Sequence, residues 1–197
     1  ERLNRMPLMN EWKTLTGDQS DIADKTLEKP DPVFKLQQSC ELSFDDIISH
    51  CTTLKMIDPL FSIIGSKFDN ISQGFLWSCE IGNAELTRKL LNESDIRGID
   101  VNLKNEEGDS GFHLACSNNH IEVALLLIEQ CESKNIDINA VDNKGDSSFH
   151  QASFHGHIEI IRLLLQAADT RVIDVNLKNK EGDSGFHLVC SNNHIEA

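Results

Sequence analysis

The sequence predicts an all-α solenoid, in which helix-turn-helix units, connected by β-turn or hairpin loops that begin at Asp-Val/Ile-Asn triplets, stack one on another behind an N-terminal helical cap. Three observations predict it. The segment GDSGFH at 108–113 returns after 37 residues as GDSSFH at 145–150, and again as GDSGFH at 182–187. Asp-Val/Ile-Asn triplets recur in the same frame. The apolar residues of each unit follow helical spacing, and a short helix pair can bury its apolar face only against neighbouring units.

Composition and charge narrow the class of protein. The chain has 197 residues, 39% of them hydrophobic, and a net charge of -14. Such acidity disfavours nucleic acid and anionic membranes as partners. A protein partner with a basic or cationic surface is easier to accommodate, with solubility alone as the alternative reason for the acidity. No run of 18 apolar residues occurs, so we expect no membrane insertion. The six cysteines form no dense disulfide framework, which favours the cytoplasm or the nucleus.

The chain divides into three predicted regions. Residues 1–40 are polar and predict a linker or arm. Residues 41–70 predict a helical cap, because the apolar residues of 43–56 share one helix face. Residues 71–197 contain the repeats, and the last unit lacks its second helix, so we expect further repeats in the native protein. The predicted units are 71–107, 108–144, 145–181 and the truncated 182–197.

Each unit contains two predicted helices joined by a short turn. A serine precedes the first helix, where its hydroxyl can accept a hydrogen bond from an unpaired backbone N–H. That helix ends at Gly or Asn, which tolerate the left-handed backbone. In the second helix of the third unit, Ile158, Ile161, Leu164 and Leu165 share one face. The capping serines are Ser110, Ser147 and Ser184, and the end residues are Gly82, Asn119, Gly156 and Asn193.

These motifs resemble those of the ankyrin-repeat family over about 71–197. The family pattern T-P-L-H-x-A corresponds to SGFHLA at 110–115, SSFHQA at 147–152 and SGFHLV at 184–189. Two features differ, since Gly or Ser replaces Pro at the first helical position, and each unit is about four residues longer than the usual 33. The extra residues precede Ile99, Ile136 and Ile173, which we expect to fix the longer linker by apolar contacts.

The pattern H-x2-C-x3-H at His113, Cys116 and His120 is also typical of zinc ligands. The other copies do not keep it, since Ser153 replaces the cysteine in the third unit. We therefore expect no metal and no cofactor. The family resemblance implies instead that the histidines bridge turns and neighbouring units by hydrogen bonds.

The cysteines suggest packing rather than chemistry. Cys79, Cys116 and Cys190 share one repeat position and predict a buried slot between helices. Cys131 lies in the linker, where we expect it to be exposed. No group of residues typical of a catalytic site occurs outside the repeated positions, so we expect no enzymatic activity.

Function is expected where the surface varies while the frame is kept. In ankyrin-like proteins, first-helix ends and turn tips line the concave groove that binds partners. Phe154 and His155 replace Ser-Asn of the neighbouring copies and predict an interface centre, with packing of Phe154 on the next unit as the alternative. The predicted partner-binding residues are Glu80, Ile81, Ser117, Asn118, Phe154, His155, Ser191 and Asn192 at helix ends, and Glu106, Glu107, Asp109, Asn143, Lys144, Asp146, Lys180, Glu181 and Asp183 at tips.

The function predicted from these features is a non-catalytic protein-binding module. The alternative is a substrate-positioning or regulatory arm of a larger enzyme, channel or ubiquitin-ligase adaptor. The resemblance further implies that Asn102, Asn139 and Asn176 are candidates for asparaginyl hydroxylation.

Overall fold

The structure is a computed structural model that describes Ile64, Phe68 and residues 70–170 and 172–192. Contacts divide the chain into two units, Glu1–Lys55 and Met56–Ala197, and every described residue belongs to the second. The predicted arm at 1–40, the cap helix at 43–56 and the helix end at Asn193 lie outside the described residues.

The described residues form seven helices in two layers. The first helices of the units pack on one another in chain order, and so do the second helices behind them. This is the predicted all-α solenoid of stacked helix-turn-helix units, which is confirmed. The helices are α1 (Ile71–Glu80), α2 (Ala84–Arg97), α3 (Gly111–Ser117), α4 (Ile121–Lys134), α5 (Ser148–His155), α6 (Ile158–Asp169) and α7 (Gly185–Ser191).

Serine caps open α3, α5 and α7, as predicted. At α3 the cap is Ser110, and the third helical residue, His113, completes a reciprocal capping box. The Ser110 N–H donates to His113 Nδ1 at 3.3 Å. Capping boxes usually carry Glu or Gln at this position. The part played by histidine was therefore not predicted, although it repeats in α5 and α7.

The first helices end at left-handed residues, also as predicted. The φ angle is 74° at Gly82, 61° at Asn119 and 69° at Gly156. Asparagine is one of the few side chains that adopts this region readily, because its short amide makes local hydrogen bonds. This conformation turns the chain directly into the second helix.

Aromatic rings fill the space between successive first helices. Phe75, Phe112 and Phe149 occupy one repeat position, and each is 1% exposed. The next unit approaches these rings closely: a Cβ added at Gly185 would collide with the Phe149 ring, and one at Gly111 would lie 2.9 Å from Cys79 Sγ. At 111 and 185 this contact leaves no room for a proline ring, whereas the equivalent Ser148 carries a Cβ, so the contact does not explain the missing Pro there.

The longer linkers are held as predicted. Ile99, Ile136 and Ile173 are 6%, 8% and 7% exposed, so each places one apolar side chain in the core. The hairpin asparagines add a polar tie, since Asn102 Oδ1 accepts from the Asp137 N–H at 2.8 Å. Asn102 Nδ2 also donates to the Asn135 carbonyl at 2.8 Å. Each linker is thus fixed to the unit that follows it.

The buried face of α6 differs from the predicted one. Ile158 and Leu165 are only half-buried, although α6 packs against both α4 and α5. The residues that α6 buries are Ile160, Ile161, Leu164 and Ala167.

Two cysteine predictions are wrong. Cys131 is buried at 8% exposure, because it lies on the inner side of α4 and not in the linker. Cys190 is exposed. Cys79 is covered by Gly111 of the next unit, whereas Cys190 lies in α7, the last described helix.

Candidate protein-binding surface

Histidine side chains tie each unit to the next. His113 Nε2 lies 3.1 Å from the Asp146 carbonyl oxygen, and His150 Nε2 lies 3.0 Å from that of Asp183. Since Nδ1 of His113 accepts from a backbone N–H, its Nε2 carries the proton and donates. The interpretation of the histidines as struts between units is thus confirmed.

A second set of histidines fixes the helix ends. His120 Nε2 bonds the Glu80 carbonyl at 2.8 Å, and His157 Nε2 bonds the Ser117 carbonyl at 2.9 Å. His113 and His120 therefore serve two different repeat contacts and do not face a common centre. Within the described ranges, no three His, Cys, Asp or Glu side chains assemble as metal ligands would.

The stack is expected to lose stability as the pH falls below about 6.5, the usual pKa of histidine. Burial lowers the pKa of His113 below that value, although the Asp146 carbonyl and the nearby Asp109 and Asp142 oppose the shift. The unfolded chain then binds more protons than the folded one, so the free energy of unfolding decreases with decreasing pH. Urea denaturation at pH 7.5, 6.5 and 5.5 measures the slope.

The matched control is His113→Gln, because glutamine keeps a capping-box partner but cannot titrate. We expect this variant to be less stable at pH 7.5 and to show a shallower pH dependence than the wild type. An unchanged slope would mean that His113 does not couple folding to pH.

The buried thiols are poorly suited to act as nucleophiles. Burial raises the pKa of Cys79 to about 12, and burial likewise raises the pKa of Cys116. Both side chains are fully buried. A catalytic cysteine requires an accessible thiolate, so the geometry assigns these residues to packing.

The turn tips form a hydrogen-bonded row along the stack. The Asn143 N–H donates to the Glu107 carbonyl, and the Lys180 N–H donates to the Lys144 carbonyl, both at 3.0 Å. Asn143 Nδ2 also donates to the Glu106 carbonyl at 2.8 Å. The backbone of the tips is thereby fixed, while the side chains of Glu106, Glu107 and Lys144 remain exposed.

The three predicted aspartates of the tips lie deeper than the other tip residues. Asp109, Asp146 and Asp183 are half-buried. Asp146 Oδ1 accepts from Asn179 Nδ2 at 2.8 Å, in addition to the strut on its carbonyl. At Asp109 and Asp183 the backbone holds the turn, since each carbonyl accepts from an asparagine N–H. Only part of each of the three side chains faces solvent.

The first-helix ends carry the most exposed apolar side chains of this surface. Phe154 is 54% exposed and Ile81 is 39% exposed. The ring of Phe154 meets that of His155 edge-on, with centroids 5.2 Å apart. Phe154 is therefore not a core residue, and packing of its remaining surface on the next unit stays the alternative. Asn192 Nδ2 does contact the Phe154 carbonyl, at 3.4 Å.

A concavity of about 590 Å³ lies between the turn tips at 143–146 and 179–181 and the end of α5. It brings together seven of the residues predicted from sequence: Asn143, Lys144, Asp146, Phe154, His155, Lys180 and Glu181. The other predicted residues do not line it: Glu80, Ile81, Glu106, Glu107, Asp109, Ser117, Asn118, Asp183, Ser191 and Asn192.

Four lining residues were not predicted: His150, Gln151, Asn179 and Leu188. The sequence did contain a signal for Gln151, because leucine stands at the equivalent positions 114 and 188. Gln151 Nε2 donates to Asp142 Oδ2 at 3.1 Å, and Asp142 itself replaces an asparagine of the neighbouring copies. The two changes thus form one local polar contact.

Comparison with known proteins identifies the repeats. A family model of ankyrin repeats, comprising three copies, matches residues 75–174. A search of the curated proteins found no match. Among the helices that the structure describes, none has the length and apolar character needed to cross a membrane.

Proposed function

The chain belongs to the ankyrin-repeat family, and we propose that it binds a protein partner through the concavity at the end of α5. Ankyrin repeats are generally protein-protein interaction modules and are typically non-catalytic. The proposal assigns no reaction to the described residues. It places the partner across the turn tips of two units and the aromatic pair Phe154–His155.

One observation carries the proposal most directly. The side chain of Phe154 is 54% exposed, although the chain could have placed a small polar residue there, as it does at Ser117 and Ser191. An exposed aromatic ring beside a recessed surface is the arrangement typical of interface hot spots. The ring lines the concavity, where a partner side chain can cover it and exclude water.

The rigidity of the surface also supports a binding role. The tips on both sides of the concavity are connected by the bond from the Lys180 N–H to the Lys144 carbonyl. Lys180 Nζ adds a bond to the Asn143 carbonyl at 2.8 Å. A surface ordered before binding loses little conformational entropy when the partner arrives. We expect the partner to meet this frame with little change in the repeats.

We expect the double variant Phe154→Ala/His155→Ala to lose most of its captured partner, by about tenfold or more. The measurement is a quantitative pull-down with the full chain as bait, analysed by mass spectrometry. Ile96→Ala is the matched control, because Ile96 is 81% exposed but does not line the concavity. Circular dichroism checks that each variant folds. Capture that is equal for the wild type and the double variant would contradict the proposal.

A further inference from the structure

The chain contains its own comparison for the concavity, because the copies on either side of it are nearly the same. Residues 100–122 and 174–196 differ only at Glu106/Lys180 and Ala115/Val189. The intervening copy at 137–159 departs from both at many positions. The residues that these two copies share are sufficient for folding of the repeat. Changes confined to the middle copy are therefore not required by the fold, and they either serve a function or are neutral.

Some changes of the middle copy lie together in space. Five of the twelve line the same concavity, although they lie on a turn tip and on a helix: Asn143, Lys144, Gln151, Phe154 and His155. At the last four of these positions, both flanking copies have glutamate, leucine, serine and asparagine in that order. This concavity is therefore where the middle copy differs most in surface chemistry from the copies on either side, which makes it the candidate site for a ligand.

The chemistry of these changes indicates the kind of ligand. Phe154 adds an exposed aromatic ring where the neighbouring copies have serine. Lys144 reverses a charge, since Glu107 and Glu181 stand at the equivalent tips. A lysine in place of glutamate changes the local charge by two units in a chain that is acidic as a whole. The site has therefore gained an exposed aromatic ring and become less negative than the equivalent surfaces of its neighbours.

The lysine is available to a ligand. Lys144 is exposed, and its ammonium makes no ion pair with any described residue. Asp146 and Glu181 are the acidic residues of the lining. Asp146 Oδ1 is already bonded to Asn179 Nδ2 at 2.8 Å. Lys180, whose Nζ bonds the Asn143 carbonyl, adds a second positive charge at the same rim.

We propose that the concavity binds a protein segment in which an apolar side chain stands directly beside an aspartate or glutamate. The apolar side chain covers Phe154, and the carboxylate pairs with Lys144. This inference rests on the proposed function and specifies its partner. It departs from the expectation drawn from net charge, which favours a basic partner. Long-range attraction of a partner depends on the net charge of the whole chain. Which partner residues bind in the concavity depends on the charges within it.

The test uses random peptides displayed on phage and selected on the full chain. The variants are Phe154→Ser/His155→Asn and Lys144→Glu, which restore residues that the flanking copies already carry and so keep the frame. We expect enriched peptides to share an apolar residue next to Asp or Glu. Synthetic versions should bind at least tenfold more weakly to the first variant, and about threefold to tenfold more weakly to the second.

The possible outcomes separate the two proposals. Enriched peptides that carry Lys or Arg beside the apolar residue, and that bind Lys144→Glu more tightly, would overturn the inference and leave the proposed function standing. Peptides that bind the wild type and Phe154→Ser/His155→Asn equally would contradict both. If no peptide is enriched, the inference of a short-segment ligand is wrong, and the pull-down decides the proposed function by itself.

Discussion

Gly108→Ala is expected to lower the free energy of unfolding by about 2–5 kcal/mol. Gly108 lies at a turn tip with a φ of 87°, a backbone conformation that an L residue adopts only at a cost. A Cβ at this position would also lie 2.7 Å from Asn143 N and 2.7 Å from Asn143 Oδ1. Asn143 cannot move aside freely, because its N–H and its amide both bond the preceding tip. The substitution therefore strains the turn and separates two units.

Two other glycines provide matched controls. Gly98 and Gly182 also have positive φ angles, 64° and 88°, but no atom lies within 4 Å of the site of an added Cβ. Alanine there should cost only the backbone term, about 1–2 kcal/mol. Gly98 lies in the first predicted unit and Gly182 in the last. A difference between the stability losses of these two variants would therefore reveal an effect of position along the stack. Urea denaturation followed by circular dichroism gives the three losses, and equal losses would contradict a contact at Gly108.

Local chemistry made much of this fold predictable. The serine caps and the Gly or Asn helix ends each depend on one or two residues and a nearby backbone group. Because these features recur at a regular spacing, they predicted a stack of repeats. The buried residues Ile99, Ile136 and Ile173 were likewise predictable, because an apolar residue recurred before each hairpin triplet. Such features can be predicted without knowing how the neighbouring unit is positioned.

The features that were not predicted depend on the three-dimensional packing of helices and turn tips against one another. The pairing of Gln151 with Asp142 joins a helix to a tip nine residues earlier, and neither residue alone suggests it. Burial of Cys131 depends on the side of α4 that faces the core. The candidate site shows the same division. Its aromatic pair broke the repeat pattern and could be singled out from sequence, whereas the rest of its lining required the positions of two adjacent tips.

Phe149→Ala is expected to destabilise the stack by about 3–5 kcal/mol. Phe149 is 1% exposed, and its ring meets that of Phe186 in the next unit with centroids 5.0 Å apart. It also lies against Gly185, where no side chain is present to fill the space it would leave. A cavity would therefore open between α5 and α7, and both helices would lose their main apolar contact. The thermal midpoint and the urea midpoint measure the loss.

Phe154→Ala is the matched control, since it makes the same truncation in the same helix. Phe154 is 54% exposed, so most of its ring already contacts water, and its removal leaves no enclosed cavity. We expect a loss below about 1 kcal/mol, in the range of surface substitutions or slightly above it. If both variants lost the same stability, the assignment of Phe149 to the core and Phe154 to a binding surface would be wrong. A small loss for Phe154→Ala also means that any loss of partner capture arises from the missing ring and not from unfolding.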